Sequence, residues 1–202
     1  MKWHIVGAAF AVALLPSLAL AGSPKEALQD ASNRIKKAIA KPAAKGSPAE
    51  KKMKEEVRAI VTQFLDYTEL AKRAMAKYWD ERTDAEKTEF AGILKDLIEA
   101  SYLGKISGNA DYTVEFPEES DEGGDAYVLT KLSARAGSVN VGFKLHKSGD
   151  TWTVFDLLID EVSTLRTYKS EFNKIIKEQG YPALVRKMKD KLDETKKDPE
   201  KK

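Results

Sequence analysis

Apolar positions recur every three or four residues through the first half of the chain, then every second residue, then every three or four again. From about Lys25 to Ala40, Leu28, Ile35 and Ile39 keep a loosely helical spacing, which Lys41-Pro42-Ala43-Ala44-Lys45-Gly46 breaks. A first helix and a linker are predicted. Ser47-Pro48-Ala49-Glu50 then combines a capping serine, a proline at the first helical position and a glutamate able to reach back to the cap's own amide. A second helix should follow, with Met53, Val57, Ile60, Val61 and Phe64 on one stripe. Asp66-Tyr67-Thr68-Glu69 repeats the start signal before Leu70, Ala74, Met75, Tyr78 and Trp79, predicting a third helix. Thr83-Asp84-Ala85-Glu86 repeats it before a fourth, whose face carries Phe90, Ile93, Leu94, Leu97, Ile98 and Tyr102 as far as Gly104.

Beyond Gly108 the period changes to two. Tyr112, Val114 and Phe116 alternate with polar residues, and Pro117 is expected to end that strand. Asp121-Glu122-Gly123-Gly124-Asp125 reads as a turn, and strands are predicted over Ala126–Arg135, Val139–His146 and Thr151–Ile159, joined by connections short enough for an antiparallel meander. The third run is one-sided, with Val139, Val141, Phe143 and Leu145 on one face. The fourth is apolar on both, so it should be buried from both sides. Helical spacing returns at Val162, Leu165, Tyr168, Phe172, Ile175 and Ile176, stops at Gly180, and resumes from Tyr181-Pro182 through Leu184, Val185, Met188 and Leu192. The predicted fold class is α+β: a four-stranded antiparallel sheet with N- and C-terminal helices packed on one face.

Composition adds where the chain works. Lys2 precedes an apolar run from Ile5 to Leu20 and an Ala19-Leu20-Ala21 site, the form of a cleaved secretory leader over residues 1–21. Pro16 and Ser17 interrupt the run, which argues against a membrane anchor. Export to the periplasm is expected, with one domain over residues 22–195 and a charged, frayed tail over 196–202. There is no cysteine, so neither disulfides nor thiolate metal sites are available. A formal net charge of +2 with both signs interspersed makes nucleic acid an unsuitable partner.

Candidate chemistry is sparse, and the expectation is a protein that is not an enzyme. Past the leader the one histidine is His146, on the polar side of a strand, with no nucleophile or orienting group signalled in sequence. Gly123-Gly124 lacks the following helix and Lys-Ser/Thr of a phosphate loop. Asp121, Glu122 and Asp125 miss the spacing of a calcium loop, so no metal site is assigned. Asp156 and Asp160 interrupt the most hydrophobic strand. A buried carboxylate needs donors, and those for Asp156 are expected at the sheet's edge or in a neighbouring helix. Periodicity alone fits a solid core and a hollow one equally well.

The residues resemble a known family. Asp66-Tyr67-Thr68-Glu69-Leu70-Ala71 with Tyr78-Trp79, then Thr83-Asp84-Ala85-Glu86-Lys87 and Phe90, resemble the MlaC/toluene-tolerance family of periplasmic phospholipid-transport proteins, whose pattern is D-[FY]-x-x-[ML]-A, a Trp, and a helix opening T-x-x-Q-R-x-x-F. Gly149-Asp150-Thr151-Trp152-Thr153-Val154-Phe155-Asp156 is similar to its G-x-W-x-V-[YF]-D, and Val162-Ser163 through Tyr168-Lys169-Ser170-Glu171-Phe172 to its G-V-S…Y-R-S-Q-F. Departures are Glu161 for Gly, Lys169 for Arg, Glu171 for Gln and Glu86-Lys87 for Gln-Arg. Glu161 puts in question the tight strand-to-helix turn that glycine allows. The resemblance implies a carrier with phospholipid as cargo and no cofactor; a monomer is expected, although the sequence does not fix the oligomeric state. Its implied partners are an outer-membrane lipoprotein complex and an inner-membrane ABC transporter bearing a substrate-binding ring, and its implied role is to maintain outer-membrane lipid asymmetry.

Such a carrier must enclose an apolar lipid pocket between helices and sheet. Each methylene taken from water contributes about 0.8 kcal/mol, so two acyl chains of about fifteen methylenes represent roughly 20 kcal/mol or more. The expected lining is Leu70, Met75, Phe90, Ile93, Leu97, Val114, Val128, Val141, Phe143, Val154, Leu165 and Phe172. The alternatives are an interaction or assembly module with a solid core and no lipid and, weakest, a hydrolase.

Overall fold

The computed structural model describes residues 22–41, 43–102 and 111–197. The expected leader over 1–21, the glycines at 104 and 108 and the end of the expected tail, 198–202, lie outside them. Among the described residues the elements are α1 (Pro24–Ile39), α2 (Pro48–Phe64), α3 (Tyr67–Met75), α4 (Asp84–Tyr102), β1 (Tyr112–Asp121), β2 (Asp125–Ala134), β3 (Gly137–Ser148), β4 (Thr151–Ile159), β5 (Val162–Ser163), α5 (Thr164–Gln179) and α6 (Tyr181–Lys197).

Helix starts follow the capping chemistry. Ser23 and Glu26 exchange hydrogen bonds at the head of α1, and Thr83 and Glu86 do so at the head of α4. The Thr83 amide, then its hydroxyl, hold the Glu86 carboxyl below its ordinary pKa. Asp66 accepts from the Glu69 amide at 2.8 Å to open α3, and Ser163 accepts from the Arg166 amide at 2.9 Å to open α5. At α2 the Ser47 hydroxyl accepts from the Glu50 amide as expected, but the Glu50 carboxylate reaches one residue further back than the cap, to the Gly46 amide at 2.6 Å. The third helix ends before Tyr78 and Trp79. Ala76 takes a positive φ of 51° and a 3₁₀ turn spans Ala76–Tyr78, so Trp79 enters the core from a turn rather than from the stripe of α3.

The sheet order is β1-β2-β3-β4-β5, antiparallel throughout. This corrects the sequence reading twice. The sheet has five strands, not four, because Val162 and Ser163 turn back onto Ile159 and Leu158 before α5 begins. Nor does Pro117 end β1, since the register shifts between Glu115 and Glu118 and the strand continues to Asp121. A proline has no amide to give a ladder, but a bulge on an edge strand removes the demand for one.

One sheet face carries Val128, Leu145 and Val154, all essentially buried, with Phe143 and Leu157 beside them; Leu28 of α1 and Phe64 of α2 pack on it. Helices α3 to α6 form a bundle around Met75, Phe90, Leu94 and Leu184, and reach the sheet where α3 and α5 meet β4. A parallel bridge from Leu65 to Val154, and the Asp66 amide donating to the Val154 carbonyl at 2.8 Å, stitch the α2–α3 junction to the edge of β4. Among the described residues no helix is long and apolar enough to cross a membrane.

Candidate functional site

Two almost wholly apolar cavities flank one thin wall. The first, about 220 Å³, lies between the α2–α3 junction, α4 and β4, and is lined by Leu70, Ile98, Val154, Phe155 and Ile159 among others. The second, about 260 Å³, lies between α1, α2 and the inner sheet face, and is lined by Leu28, Ile35, Phe64, Val114, Phe116 and Phe143 among others. Val61, Leu65 and Leu157 line both. Neither cavity alone reaches the about 300 Å³ at which ligand pockets usually begin. Only those three side chains form their common wall. Val61 and Leu65 stand one helical turn apart at the end of α2, and Leu157 comes across from β4.

Two polar regions share lining residues with the first cavity. Through Phe155 and Asp156 it adjoins a recess of about 520 Å³ carrying Arg73, Asp125, Lys144, Arg166 and Lys169. Through Leu65, Asp66 and Tyr67 it adjoins a groove of about 710 Å³ along α3 and α4, bordered by Trp79, Lys87, Lys95 and Thr153.

The buried polar groups at these junctions are mostly satisfied. Asp156, 4% exposed, accepts from the Ser163 hydroxyl at 2.6 Å and the Leu165 amide at 2.8 Å, so its donors come from β5 and the start of α5. Arg73 forks onto Asp125 at 2.6 and 3.0 Å, reaches Glu69 at 2.7 Å and stacks on the Phe155 ring at 3.7 Å. Glu122 takes Lys144 at 2.8 Å, and Asp121 accepts from the Gly123 amide, so the three acids of that turn serve three different partners. His146 Nε2 lies 3.1 Å from Asp66 Oδ2, while its ring meets Phe155 edge-on. The sequence pattern signals no carboxylate beside His146, and the fold supplies one, on Nε2. Among the described residues no cluster of three acids or histidines is placed to hold a metal ion.

Of the residues expected to line a pocket, Leu70 and Val154 border the first cavity, and Val114 and Phe143 the second. Met75, Phe90, Ile93, Leu97 and Phe172 are packed inside the helical bundle, and Val128 lies in the sheet's own cluster. Leu165 faces the polar recess, and Val141 is half-buried on β3 opposite Thr130 and Ile159. The sequence reading missed all three residues of the common wall as lining: Val61, which it placed only on the stripe of α2, Leu65 and Leu157. Leu157 was signalled by the second apolar face of β4; Leu65, at the cap of α2, belongs to no stripe.

A family model described as MlaC protein matches residues 29–190, from within α1 to within α6. Comparison with curated proteins gives no match. Seven chains of solved structures match. One is a phospholipid-binding protein from Ralstonia solanacearum, solved in complex with a phospholipid; it is 18% identical, with a TM-score of 0.76 over 87% of this chain and 99% of that one. At that identity the likeness is one of fold.

Proposed function

The chain belongs to the MlaC family, and from that premise we propose that it is a periplasmic carrier that binds phospholipid and conveys it between membrane-bound partners without chemical change. The observation that carries this reading is the pair of apolar cavities on either side of Val61, Leu65 and Leu157. A solid-core interaction module has no reason to leave two such voids side by side, because each forfeits packing contacts that stabilise a core. Acyl chains fill them with carbon against carbon. Transfer from a bilayer is then near neutral in free energy and reversible, because the chains exchange one apolar medium for another.

The direct test is native mass spectrometry of the protein purified without detergent, expected to show intact phospholipid bound. Protein that carries none, and takes none from phospholipid vesicles, sinks the proposal. The bound lipid should be unhydrolysed, and His146→Ala should leave it so. The finer parts of the reading are export by a cleaved leader over 1–21, and exchange with an outer-membrane lipoprotein complex and an inner-membrane ABC transporter with its substrate-binding ring. The leader rests on the sequence pattern and the partners on the family. Crosslinking to those partners in whole cells tests them.

A further inference from the structure

The inner face of the sheet is not covered along its whole length. Val162 is 62% exposed, Ile159 43% and Val139 36%, the large hydrophobic side chains left open to water among the described residues. Strand pairing places them side by side. Val162 stands opposite Ile159, Ile159 opposite Val141, and Val139 opposite Leu132, so the five side chains share one face across β2, β3, β4 and β5. The strip is continuous with both cavities, because Leu132 lines the second and Ile159 the first. Single exposed apolar side chains are ordinary, but a contiguous strip marks a surface that something apolar covers. The cavities leave such a ligand over. A methylene takes about 30 Å³, much as a water molecule does in the liquid, so cavities of about 220 and 260 Å³ hold roughly seven to nine methylenes each. An acyl chain of about fifteen methylenes keeps about half its length outside, and each methylene left in water weakens binding about fourfold.

Building on the carrier reading, we propose that the strip of Leu132, Val139, Val141, Ile159 and Val162 carries the part of the cargo's acyl chains that the two cavities do not hold. The occupant is aliphatic chain rather than headgroup. These five side chains offer neither charge nor hydrogen bond, and Asp160 and Glu161, at the turn between Ile159 and Val162, repel a phosphate. A chain that passes Ile159 at the wall of the first cavity, or Leu132 at the wall of the second, meets further aliphatic carbon instead of water. Chain length thereby becomes a property the protein senses. An eight-carbon chain ends within a cavity and makes no use of the strip, whereas a sixteen-carbon chain depends on it.

The test offers the purified, delipidated protein an equimolar dispersion of dioctanoyl and dipalmitoyl phosphatidylcholine, and counts both bound lipids by mass spectrometry. Val139 and Val162 line neither cavity, so Val139→Ser combined with Val162→Ser strips carbon from the surface alone. Wild type should bind both lipids. The double variant should keep the dioctanoyl lipid, and its ratio of bound dipalmitoyl to dioctanoyl lipid should fall about four- to fifteenfold, the cover of one or two methylenes. An unchanged ratio, or an equal loss of both lipids, overturns the inference while the carrier reading stands. A variant that alters sedimentation of the protein and leaves the ratio alone assigns the strip to a contact between copies, and the inference falls likewise. A wild type that binds neither lipid overturns both. Should the double variant fail to fold by circular dichroism, Val162→Ser alone decides, with a shift of the same sign and about fourfold.

Discussion

At the scale of single residues, the turn from β4 into α5 holds two consecutive non-glycine residues at positive φ. Asp160 and Glu161 have φ of 47° and 65°, and they join Ile159 to Val162, which pair across a two-residue hairpin. Positive φ at both central residues is a type I′ turn, which favours Asn-Gly or Asp-Gly because an L side chain in that region crowds its own carbonyl. The chain therefore keeps the tight turn that glycine permits in the family pattern, with glutamate forced into it. The corner is held from outside by Asp156, whose two bonds to Ser163 and Leu165 fix where α5 begins. Glu161→Gly should relieve the strain and stabilise the protein by about 1 kcal/mol, less the entropy that glycine adds to the unfolded chain. Urea denaturation would show it; a loss of stability would mean that the Glu161 side chain makes a contribution that outweighs its backbone.

At the scale of elements, helices were legible and strands only partly so, for a physical reason. The starts of α2, α3 and α4 combine a capping side chain with a change of apolar phase, two local signals that agree. Pro117 misled because its effect depends on whether its strand is an edge, which pairing decides and local sequence does not. The two residues of β5 are too short to show a period. Helix packing also shows in titration. Tyr181, at the start of α6, gives its hydroxyl to the Glu86 carbonyl at 3.2 Å and lies tilted beside Phe90 and under Arg82. Burial first, then the Glu86 and Glu89 carboxylates, push its pKa up to about 12 from 10.0. The fold thus favours the neutral phenol. This contribution to stability is whole below pH 10 and is lost as pH rises through about 12. Denaturation midpoints measured from pH 8 to 12 should fall more steeply for wild type than for Tyr181→Phe above pH 10; parallel curves would show that the phenol ionises without opposing the fold.

At the scale of the molecule, the sequence marked which faces are buried but not which buried faces meet a void. Met75 and Phe90 have the same stripe spacing as Val61, yet both are fully enclosed in the helical bundle, while Val61 stands between two cavities. Periodicity records burial; a cavity is set by how far apart whole layers are held. Here the α2–α3 junction is pinned to β4 through Leu65 and Asp66, so the wall between the cavities is part of the fold rather than a loose side chain. That makes one position decisive. Val61→Trp adds bulk at the wall shared by both cavities, so it should cut phospholipid bound per protein severalfold, with an overpacking cost of about 1–3 kcal/mol that leaves the chain folded. Lys169→Gln changes charge in the polar recess without touching cavity volume, and a solvated cation contributes little to holding a solvated headgroup. Its occupancy should match wild type. Both are read by mass spectrometry after circular dichroism has confirmed folding. If the charge change empties the protein while the tryptophan variant stays loaded, cargo is held by its headgroup, and the cavities are not what retains it.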